Sequence, residues 1–465
     1  MEDTMENGNK KLWTKTEKTI FRRNLVLVAS FMIIVGLIIF FAIKTRTDHS
    51  DITPTLDVSE IDGPEPESTV FDTNAKRKQH VNEVIEKANK MILGYDYDGA
   101  ISYITSDPEY KETLELLELV EHLNMEKTSL PTWNKVDKVT CLAFNAIVHE
   151  SRFAFDGDET AKKYNNNNLT EKEFKAILQK LYDSNYILVN LHQLSEYTDK
   201  PQEDGTTKTV RTKKTLYIPE NKTPIVFVQL DPNFYKSMSS DGFASGLVLK
   251  KDQLTARYDS EDGTTYGAFD YITILNEFID EHPDFSYCNA HGVLAISPSD
   301  GIFGYDISDP SADGYADGIK QIQNISKYLK DNGYEIANGS YYNKVINDFS
   351  ISDFKVDFLN WQKTAGVLLG EADIYVWPTG KDTGWKLYSG DKYEYLKSKG
   401  YHYYCSLINV QEPYWVQVTE NYYRMGWIDV TGARLYNDMK NNKTILKFLF
   451  DASEIYDTSG RPFVY

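Results

Sequence analysis

Short apolar segments alternate with amphipathic helical segments from residue 139 almost to the end of the chain. This alternation is typical of parallel strands joined by crossover helices. It predicts an α/β domain over residues 137–465, either a barrel or an open sheet. The predicted strands lie at 139–148, 186–191, 224–229, 285–296, 334–337, 373–377 and 401–408, and the predicted helices at 170–184, 271–281, 317–332 and 350–368.

Two polar segments, 198–217 and 238–269, interrupt the alternation. Each contains a dipeptide that favours a tight turn, Asp204-Gly205 in the first and Asp262-Gly263 in the second. Because Asp-Gly pairs suit two-residue hairpin loops, both segments are predicted to be β-hairpins inserted into the domain.

Residues 25–43 are apolar and carry no charge. A helix of this length crosses roughly 30 Å of hydrocarbon, so the segment is predicted to be a transmembrane helix. A cleaved signal peptide is the alternative, but the apolar run is long for one and no small-x-small cleavage site follows it. The basic residues before the segment are Lys10, Lys11, Lys15, Lys18, Arg22 and Arg23.

Only Lys44 and Arg46 follow that segment before acidic sequence begins. The positive-inside rule therefore predicts a single-pass protein of the cell membrane, with tail 1–24 in the cytoplasm and the main domain outside. Residues 44–74 are rich in Asp, Glu, Pro, Ser and Thr, and are predicted to be a linker because they cannot bury enough apolar surface to fold.

Residues 75–127 have apolar side chains at helical spacing, beginning with Val81, Val84 and Ala88. The run Gly94-Tyr95-Asp96-Tyr97-Asp98 breaks the first helix, and the segment resembles one tetratricopeptide-type helical hairpin. A single repeat buries little surface, so it must pack on a partner or on the main domain. A helical stalk and a module that binds a protein partner both remain open.

Charge and cysteine content exclude some classes of function. The formal net charge is −19, which disfavours nucleic acid as a partner because an acidic surface repels phosphates. The three cysteines are far apart in sequence, so they predict neither a CxxC site nor a disulfide framework. The sequence also lacks a Gly-x-Ser-x-Gly elbow, a phosphate-binding glycine loop and a His-Glu-x-x-His helix.

Three predicted strands end in polar or aromatic residues: Asp231 after the third, Ser340 and Asn343 after the fifth, and Trp377 and Pro378 at the end of the sixth. In parallel α/β folds the reactive residues lie at the carboxyl ends of strands, where the connecting loops converge. These residues are therefore expected to surround one opening, the mouth, at the carboxyl ends of the strands.

Segments 224–231, 334–343 and 375–380 together resemble the polysaccharide deacetylase (NodB-type) family. That family has an Asp-Asp pair at the first segment, a His-x-x-x-His motif at the second and a Pro-x-Gly turn at the third. The resemblance implies an irregular NodB-type (β/α) barrel with inserted hairpins over residues 137–465. It also implies removal of acetyl groups by a zinc-like ion, held by one Asp and two His, with the preceding Asp as base.

Only part of that set is present. Asp231 matches the metal-ligand carboxylate, but Leu230 stands at the position of the base and cannot accept a proton. The two histidine positions match Gly339, which has no ligand atom, and Asn343, whose neutral amide is a poor zinc ligand. The resemblance thus implies a degenerate site with no catalytic residue at the position of the base.

Aromatic residues near the same mouth are candidates for stacking on sugar rings. Trp377, Pro378, Tyr341 and Tyr342 are the predicted substrate-binding residues. The ligand that the family implies is a cell-wall or extracellular polysaccharide.

Three hypotheses follow. The first is a degenerate deacetylase-like domain that needs no cofactor and binds cell-surface glycan or a protein. The second is an active deacetylase or esterase that holds a divalent metal with relocated ligands, drawn from Asp231, His149, His192 and His402. The third, compatible with the first, is a scaffold that binds a protein partner through 75–127 and the inserted hairpins.

Overall fold

The computed structural model describes residues 68–384, 386–407, 412–441 and 445–462. The chain divides into two compact units, Met1–Asp72 and Thr73–Tyr465, and the second contains the predicted main domain. The predicted cytoplasmic tail and transmembrane segment 25–43 lie outside the described residues. Within the described ranges, no helix combines the length and apolar character that a membrane crossing requires.

Three helices occupy the segment predicted as a stalk: α1 (Ser68–Leu93), α2 (Tyr97–Ser106) and α3 (Leu114–Ser129). The predicted boundary at residue 75 is wrong, because α1 begins within the segment 44–74 that was predicted to be an unfolded linker. Their apolar faces bury one another in a small core that includes Val84, Ala100 and Leu116. Helix α2 begins after Asp96, whose side chain accepts a hydrogen bond from the Gly99 amide at 2.9 Å. A capped start immediately after a turn explains why the run of alternating Tyr and Asp separates two helices.

Helices α1–α3 contact the main domain at the turn that contains Cys288. The Gly94 carbonyl accepts a hydrogen bond from the Cys288 amide at 2.8 Å. A Cβ atom at position 94 would lie 2.9 Å from the Ser286 carbonyl oxygen, so the close approach requires glycine. We refer to helices α1–α3 as the stalk from here on.

The remaining elements form an α/β domain. Its helices are α4 (Ser151–Ala154), α5 (Ala161–Asn167), α6 (Glu171–Asp183), α7 (Tyr271–Glu281), α8 (Tyr315–Asp331), α9 (Ile351–Trp361), α10 (Val367–Leu369), α11 (Asp391–Ser398) and α12 (Gly432–Asn441), with a π-helical turn at Gln362–Gly366. Its strands are β1 (Thr132–Trp133), β2 (Thr140–Phe144), β3 (Tyr186–Leu188), β4 (Ser195–Pro201), β5 (Thr207–Lys213), β6 (Leu216–Tyr217), β7 (Thr223–Leu230), β8 (Gly246–Lys250), β9 (Gln253–Ser260), β10 (Gly263–Gly267), β11 (Val293–Ile296), β12 (Glu335–Asn338), β13 (Ile374–Val376), β14 (Tyr403–Leu407), β15 (Val416–Val418) and β16 (Tyr423–Asp429).

Seven parallel strands close into a barrel. Their order around the ring is β2, β7, β11, β12, β13, β14 and β16, and β16 pairs with β2 to complete it. Strand β7 has a third neighbour, because β3 pairs with its first residues and β11 with its last. Of the two predicted α/β architectures, the structure confirms the barrel.

The barrel interior and exterior are separate apolar layers, as alternating side chains require. One buried cluster draws side chains from all seven strands, including Cys141, Val228 and Met425, and fills the interior. The strand residues between them, such as Phe144 and Phe227, face the helices in a second cluster. Helix α6 contributes a face of buried side chains at helical spacing to this cluster: Phe174, Ile177, Leu178 and Leu181.

The first inserted segment is a β-hairpin, as predicted, whereas the second is a three-stranded sheet and not the predicted hairpin. Strands β4 and β5 form an antiparallel hairpin, and β8, β9 and β10 form a three-stranded sheet. The hairpin packs at the amino end of the barrel. There the Arg211 guanidinium lies 4.3 Å from the centre of the Tyr403 ring and donates to Ser195 Oγ at 2.7 Å.

The observed strands differ from the predicted ones in two places. The predicted strand 285–296 is a strand only over its last four residues, because Cys288 and Asn289 have left-handed backbones and form a turn. Strand β16, which closes the barrel, was not predicted. Its pattern is interrupted by Arg424, which is nevertheless 2% exposed and pairs with Asp382.

Candidate functional site

A cavity of about 500 Å³ lies at the carboxyl end of the barrel. Its wall includes the predicted positions Leu230, Asp231, Gly339, Asn343, Trp377 and Pro378. The structure therefore brings together the ends of β7, β12 and β13, as the parallel arrangement predicts. Tyr341 and Tyr342 follow the same strand as Gly339 but do not line the cavity.

Asp231 is the central charged group of the cavity. Its Oδ2 accepts hydrogen bonds from the Tyr235 hydroxyl at 2.6 Å and from Asn343 Nδ2 at 2.7 Å. Its Oδ1 is buried and has no hydrogen-bond partner. Burial raises the pKa of this carboxyl to about 6, although the two hydrogen bonds act in the opposite direction. One carboxylate oxygen is thus held in place while the other is unsatisfied.

The backbone around Asp231 is strained at several non-glycine residues. Asp231, Ser340, Asn343 and Thr379 have φ angles of 51°, 69°, 49° and 56°. Left-handed backbone is costly for residues with a Cβ atom, and such outliers cluster at functional sites. Here they occur in the three loops that bring the predicted motifs together.

The residues at the family metal positions do not fit a zinc-type centre. Asn343 directs its NH2 group at Asp231, so the amide acts as a hydrogen-bond donor and not as a ligand. A Cβ atom at Gly339 would lie 2.9 Å from Ser297 Oγ and 3.0 Å from the Ala295 carbonyl oxygen, so no larger side chain fits without movement of the backbone. Leu230 contributes its apolar side chain to the edge of the interior core.

The structure does not assemble the relocated ligand set either. His192 Nδ1 contacts Glu335 Oε1 at 2.6 Å and its Nε2 contacts Asp373 Oδ2 at 3.0 Å. These acids lie at the start of β12 and just before β13, at the amino end of the barrel. The amide of His402 donates to the Asp373 carbonyl, which places it at the same end, opposite to Asp231.

His149 lies nearer the carboxyl end but is already engaged. Its Nδ1 contacts Glu171 Oε1 at 2.8 Å, and its ring packs on Phe269 with centroids 4.1 Å apart. Over the described stretches of the chain, no group of three or more His, Cys, Asp or Glu side chains is arranged to hold a metal ion. The proposed combination of Asp231 with His149, His192 and His402 is therefore wrong as a ligand set.

The predicted aromatic residues differ in exposure. The Trp377 side chain is fully buried, with its ring centre 5.0 Å from that of Tyr375 in a cluster of Tyr, Phe and Trp outside the barrel. It lines the cavity but has no exposed face on which a sugar ring could stack, and its role in substrate binding stays a prediction. Tyr342 is 44% exposed beside the mouth, so its binding role stays a prediction.

Two functional candidates were missed by sequence reasoning. Gln229 and Asn233 line the same cavity, are each 2% exposed, and have side-chain oxygens without a hydrogen-bond partner. The Asn233 amide nitrogen donates to the Ser297 carbonyl, which orients its oxygen away from that carbonyl. A motif search passes over neutral amides, and only their burial identifies them.

A buried ion pair supports the wall of the cavity. Arg461 and Glu173 are both fully buried and form a salt bridge. Arg461 also donates to the carbonyls of Asn165 and Asn168 at 2.9 and 2.8 Å, and Asn168 lines the cavity. The described end of the chain therefore anchors one wall of the site.

Known proteins resemble this chain in structure and not in sequence. No protein-family model and no curated protein matches the chain. Among solved structures, it is similar to the deacetylase PplD of Streptococcus pyogenes in complex with acetate, with 10% identity over 64% of this chain and 94% of that one and a TM-score of 0.36. It is also similar to BA0330 of Bacillus anthracis, assigned as a polysaccharide deacetylase, with 9% identity over 69% of each chain and a TM-score of 0.36.

At these identities and TM-scores the likeness assigns neither a substrate nor an activity. The closed barrel of seven parallel strands is consistent with the NodB-like fold that the sequence motifs imply.

Proposed function

We propose that this protein binds an extracellular polysaccharide in the cavity at the carboxyl end of the barrel and does not deacetylate it. The observation that carries the proposal is the state of the catalytic positions. Leu230 replaces the base, Gly339 has no room for a side chain, and Asn343 donates to Asp231. A site of this composition retains polar recognition groups and lacks the groups that would activate water.

The cavity suits a sugar ligand in size and lining. Small-molecule sites enclose roughly 300–1,000 Å³ and combine apolar walls with a few polar groups, and this cavity of about 500 Å³ falls within that range. Its wall combines the half-buried aromatic side chains of Phe234 and Tyr235 with the amides of Asn145 and Asn167. Sugars present apolar ring faces and hydroxyl groups, which such a lining can contact together.

We further propose that residues 25–43 anchor the protein in the cell membrane, with the barrel outside. The uncharged segment and its basic amino-terminal flank support this location. The stalk stays a candidate for binding a protein partner, and Leu93, Leu114 and Met125 on it are 53%, 67% and 60% exposed. Replacing Leu114 and Met125 by Glu would abolish capture of such a partner and leave glycan binding unchanged.

The absence of catalysis is tested with the full-length protein in detergent. Acetate release from an N-acetylated chitooligosaccharide and the zinc content of the protein are measured together. We expect no acetate release above that of a heat-denatured sample, and less than one zinc per chain. Turnover with stoichiometric zinc, both lost in Asp231→Asn, would show an active enzyme and overturn the proposal.

Binding is tested on the same preparation by calorimetry with oligosaccharides of cell-wall type. We expect saturable binding that weakens when Tyr235→Phe removes the hydroxyl that holds Asp231. Tyr217→Phe is a matched control, because Tyr217 lies in β6, just before β7 begins, and is 47% exposed. Failure of every oligosaccharide to bind the unmodified protein would contradict a carbohydrate-binding function.

A further inference from the structure

The cavity has an excess of hydrogen-bond acceptors that the protein itself does not use. Asp231 Oδ1, Asn233 Oδ1 and Gln229 Oε1 are buried oxygens without a partner, and all three residues line the cavity. Against these three acceptors stands one unpartnered buried donor of a lining residue, Trp377 Nε1. A buried acceptor left unsatisfied costs about 1–3 kcal/mol, so three around one cavity require an explanation. A ligand that brings donors would remove this cost.

The charges of the wall favour a positive ligand. Its described ionisable side chains include three carboxylates, Asp231, Asp270 and Asp429, and one ammonium group, that of the exposed Lys163. Asp270 is occupied as the cap of α7, where it accepts from the Thr273 amide at 3.1 Å, and Asp429 pairs with Arg434. Asp231 is therefore the carboxylate with an oxygen free to contact a ligand.

From this acceptor excess we infer that the cavity recognises the primary ammonium group of an amino sugar that carries no acyl group. The inference rests on the proposed glycan-binding function and specifies which glycan is bound. An ammonium group has three N–H donors and a positive charge, which complement Asp231 Oδ1 and the two amide oxygens.

An N-acetylated sugar complements the same groups poorly. Acylation leaves a single N–H donor, removes the charge, and adds a carbonyl oxygen that would face other acceptors. A polar site that loses its partners discriminates strongly against the analogue that lacks them. The orphaned oxygens thus select the free amine and disfavour the acetylated form.

A divalent cation is the other species that oxygen atoms can bind. Calcium takes six to eight oxygen ligands, commonly with several carboxylates. Only one of the three unpartnered oxygens is charged, and Asn343 directs an N–H donor at the same carboxylate. The arrangement therefore favours an ammonium group, and calcium binding becomes an outcome of the test.

The test compares three oligosaccharides of equal length with the full-length protein: a β-1,4-glucosamine oligomer, its fully N-acetylated form and a neutral glucose oligomer. Calorimetry is run with EDTA and then with calcium chloride. We expect the glucosamine oligomer to bind about tenfold or more tightly than the acetylated one, as one charge-assisted hydrogen bond would give.

The variants separate a local contact from overall charge. In Asp231→Asn the new amide oxygen can still accept from Tyr235 and Asn343, but an NH2 group replaces the free oxygen, so the preference for the amine should vanish. Glu220→Gln is the matched control. Glu220 is exposed and lies just before β7, at the end opposite to Asp231, and its substitution changes the net charge by the same amount. Asn233→Ala should weaken binding of the glucosamine oligomer severalfold. It tests the same amine preference independently if Asp231→Asn folds poorly.

The outcomes distinguish this inference from the proposed function. Equal or tighter binding of the acetylated oligomer overturns the amine preference and leaves glycan binding intact. No binding of any of the three overturns both. Calcium binding that requires Asp231, without any preference for the amine, assigns the acceptors to a cation and also overturns the inference.

Discussion

The carboxylates at the two ends of the barrel are bonded differently, although the amino end also has an unpartnered buried group, Arg211 Nε. At the amino end, His192 contacts two carboxylates, and the amides of Leu191 and His192 donate to Glu335 at 2.9 and 3.1 Å. At the carboxyl end, Asp231, Asn233 and Gln229 each have a buried oxygen without a partner. In barrels of this kind the amino end serves stability and the carboxyl end serves function. The hydrogen bonds of the carboxylates at the amino end therefore stabilise the fold, whereas the unpartnered oxygens at the carboxyl end lower its stability.

The largest effect is expected at the wall of the mouth, where Arg461 and Glu173 are fully buried. Arg461→Met leaves an unpaired buried carboxylate and should lower the free energy of unfolding by about 3–5 kcal/mol. Urea denaturation measures this. Lys172→Met is the control, because the Lys172 side chain is 69% exposed where it contacts Asp457. This substitution should lower the free energy of unfolding by less than about 1 kcal/mol. Equal losses of stability in the two variants would show that the buried pair of Arg461 and Glu173 does not stabilise the wall of the cavity.

The next effect has the opposite sign. Asp231→Asn should raise the free energy of unfolding at pH 8 by up to about 3 kcal/mol, since the pKa of Asp231 is raised from 3.8 to about 6. The folded state then carries an ionised carboxylate that it disfavours. The gain is complete above about pH 6 and disappears as the pH falls from 6 to 3.8. Destabilisation at pH 8 would show that this carboxylate has a partner, and would break the contrast between the two ends.

At the amino end the pH dependence is reversed. Burial alone would lower the pKa of His192, but Asp373 and Glu335 outweigh it and raise that pKa to about 11. The stabilisation is complete below the unfolded value near 6.5 and is lost as the pH rises towards 11. Because the ring is 46% exposed, His192→Gln should cost only about 1 kcal/mol at pH 6 and less at pH 10.

The smallest change in stability is expected at Tyr342, which is 44% exposed beside the mouth. Tyr342→Ala should alter the free energy of unfolding by less than about 0.5 kcal/mol but weaken glycan binding severalfold, if its ring stacks on a sugar. Tyr217→Ala, before β7 begins, should change neither. Calorimetric titration of both variants makes the comparison, and equal affinities would remove Tyr342 from the binding surface.

Much of this fold could be predicted because most barrel strands are apolar runs that end in turns or helices. Strand β16 was missed because Arg424 interrupts its pattern. That arginine is buried only since Asp382 pairs with it and Tyr388 lies under it, with the ring centre 4.1 Å away. Its partners are about 40 residues away in sequence, so local periodicity cannot reveal them.

The site was predicted in outline and not in detail. The ends of β7, β12 and β13 meet because parallel strands point the same way, which the sequence pattern indicates. The unsatisfied oxygens of Gln229 and Asn233 depend on what lies around them in the fold, which no spacing rule encodes. The prediction of histidine metal ligands failed for the same reason, since His192 contacts acids that are more than 140 residues away in sequence.

The attachment of the stalk at Cys288, just before β11, has a mechanical consequence. The stalk joins the barrel at its amino end, while the cavity opens at the carboxyl end. A pull on a polymer held in the cavity would therefore run lengthwise along the strands before it reached the stalk. Strand β7, which ends one residue before Asp231, would bear that load first, and its three neighbours would share the tension.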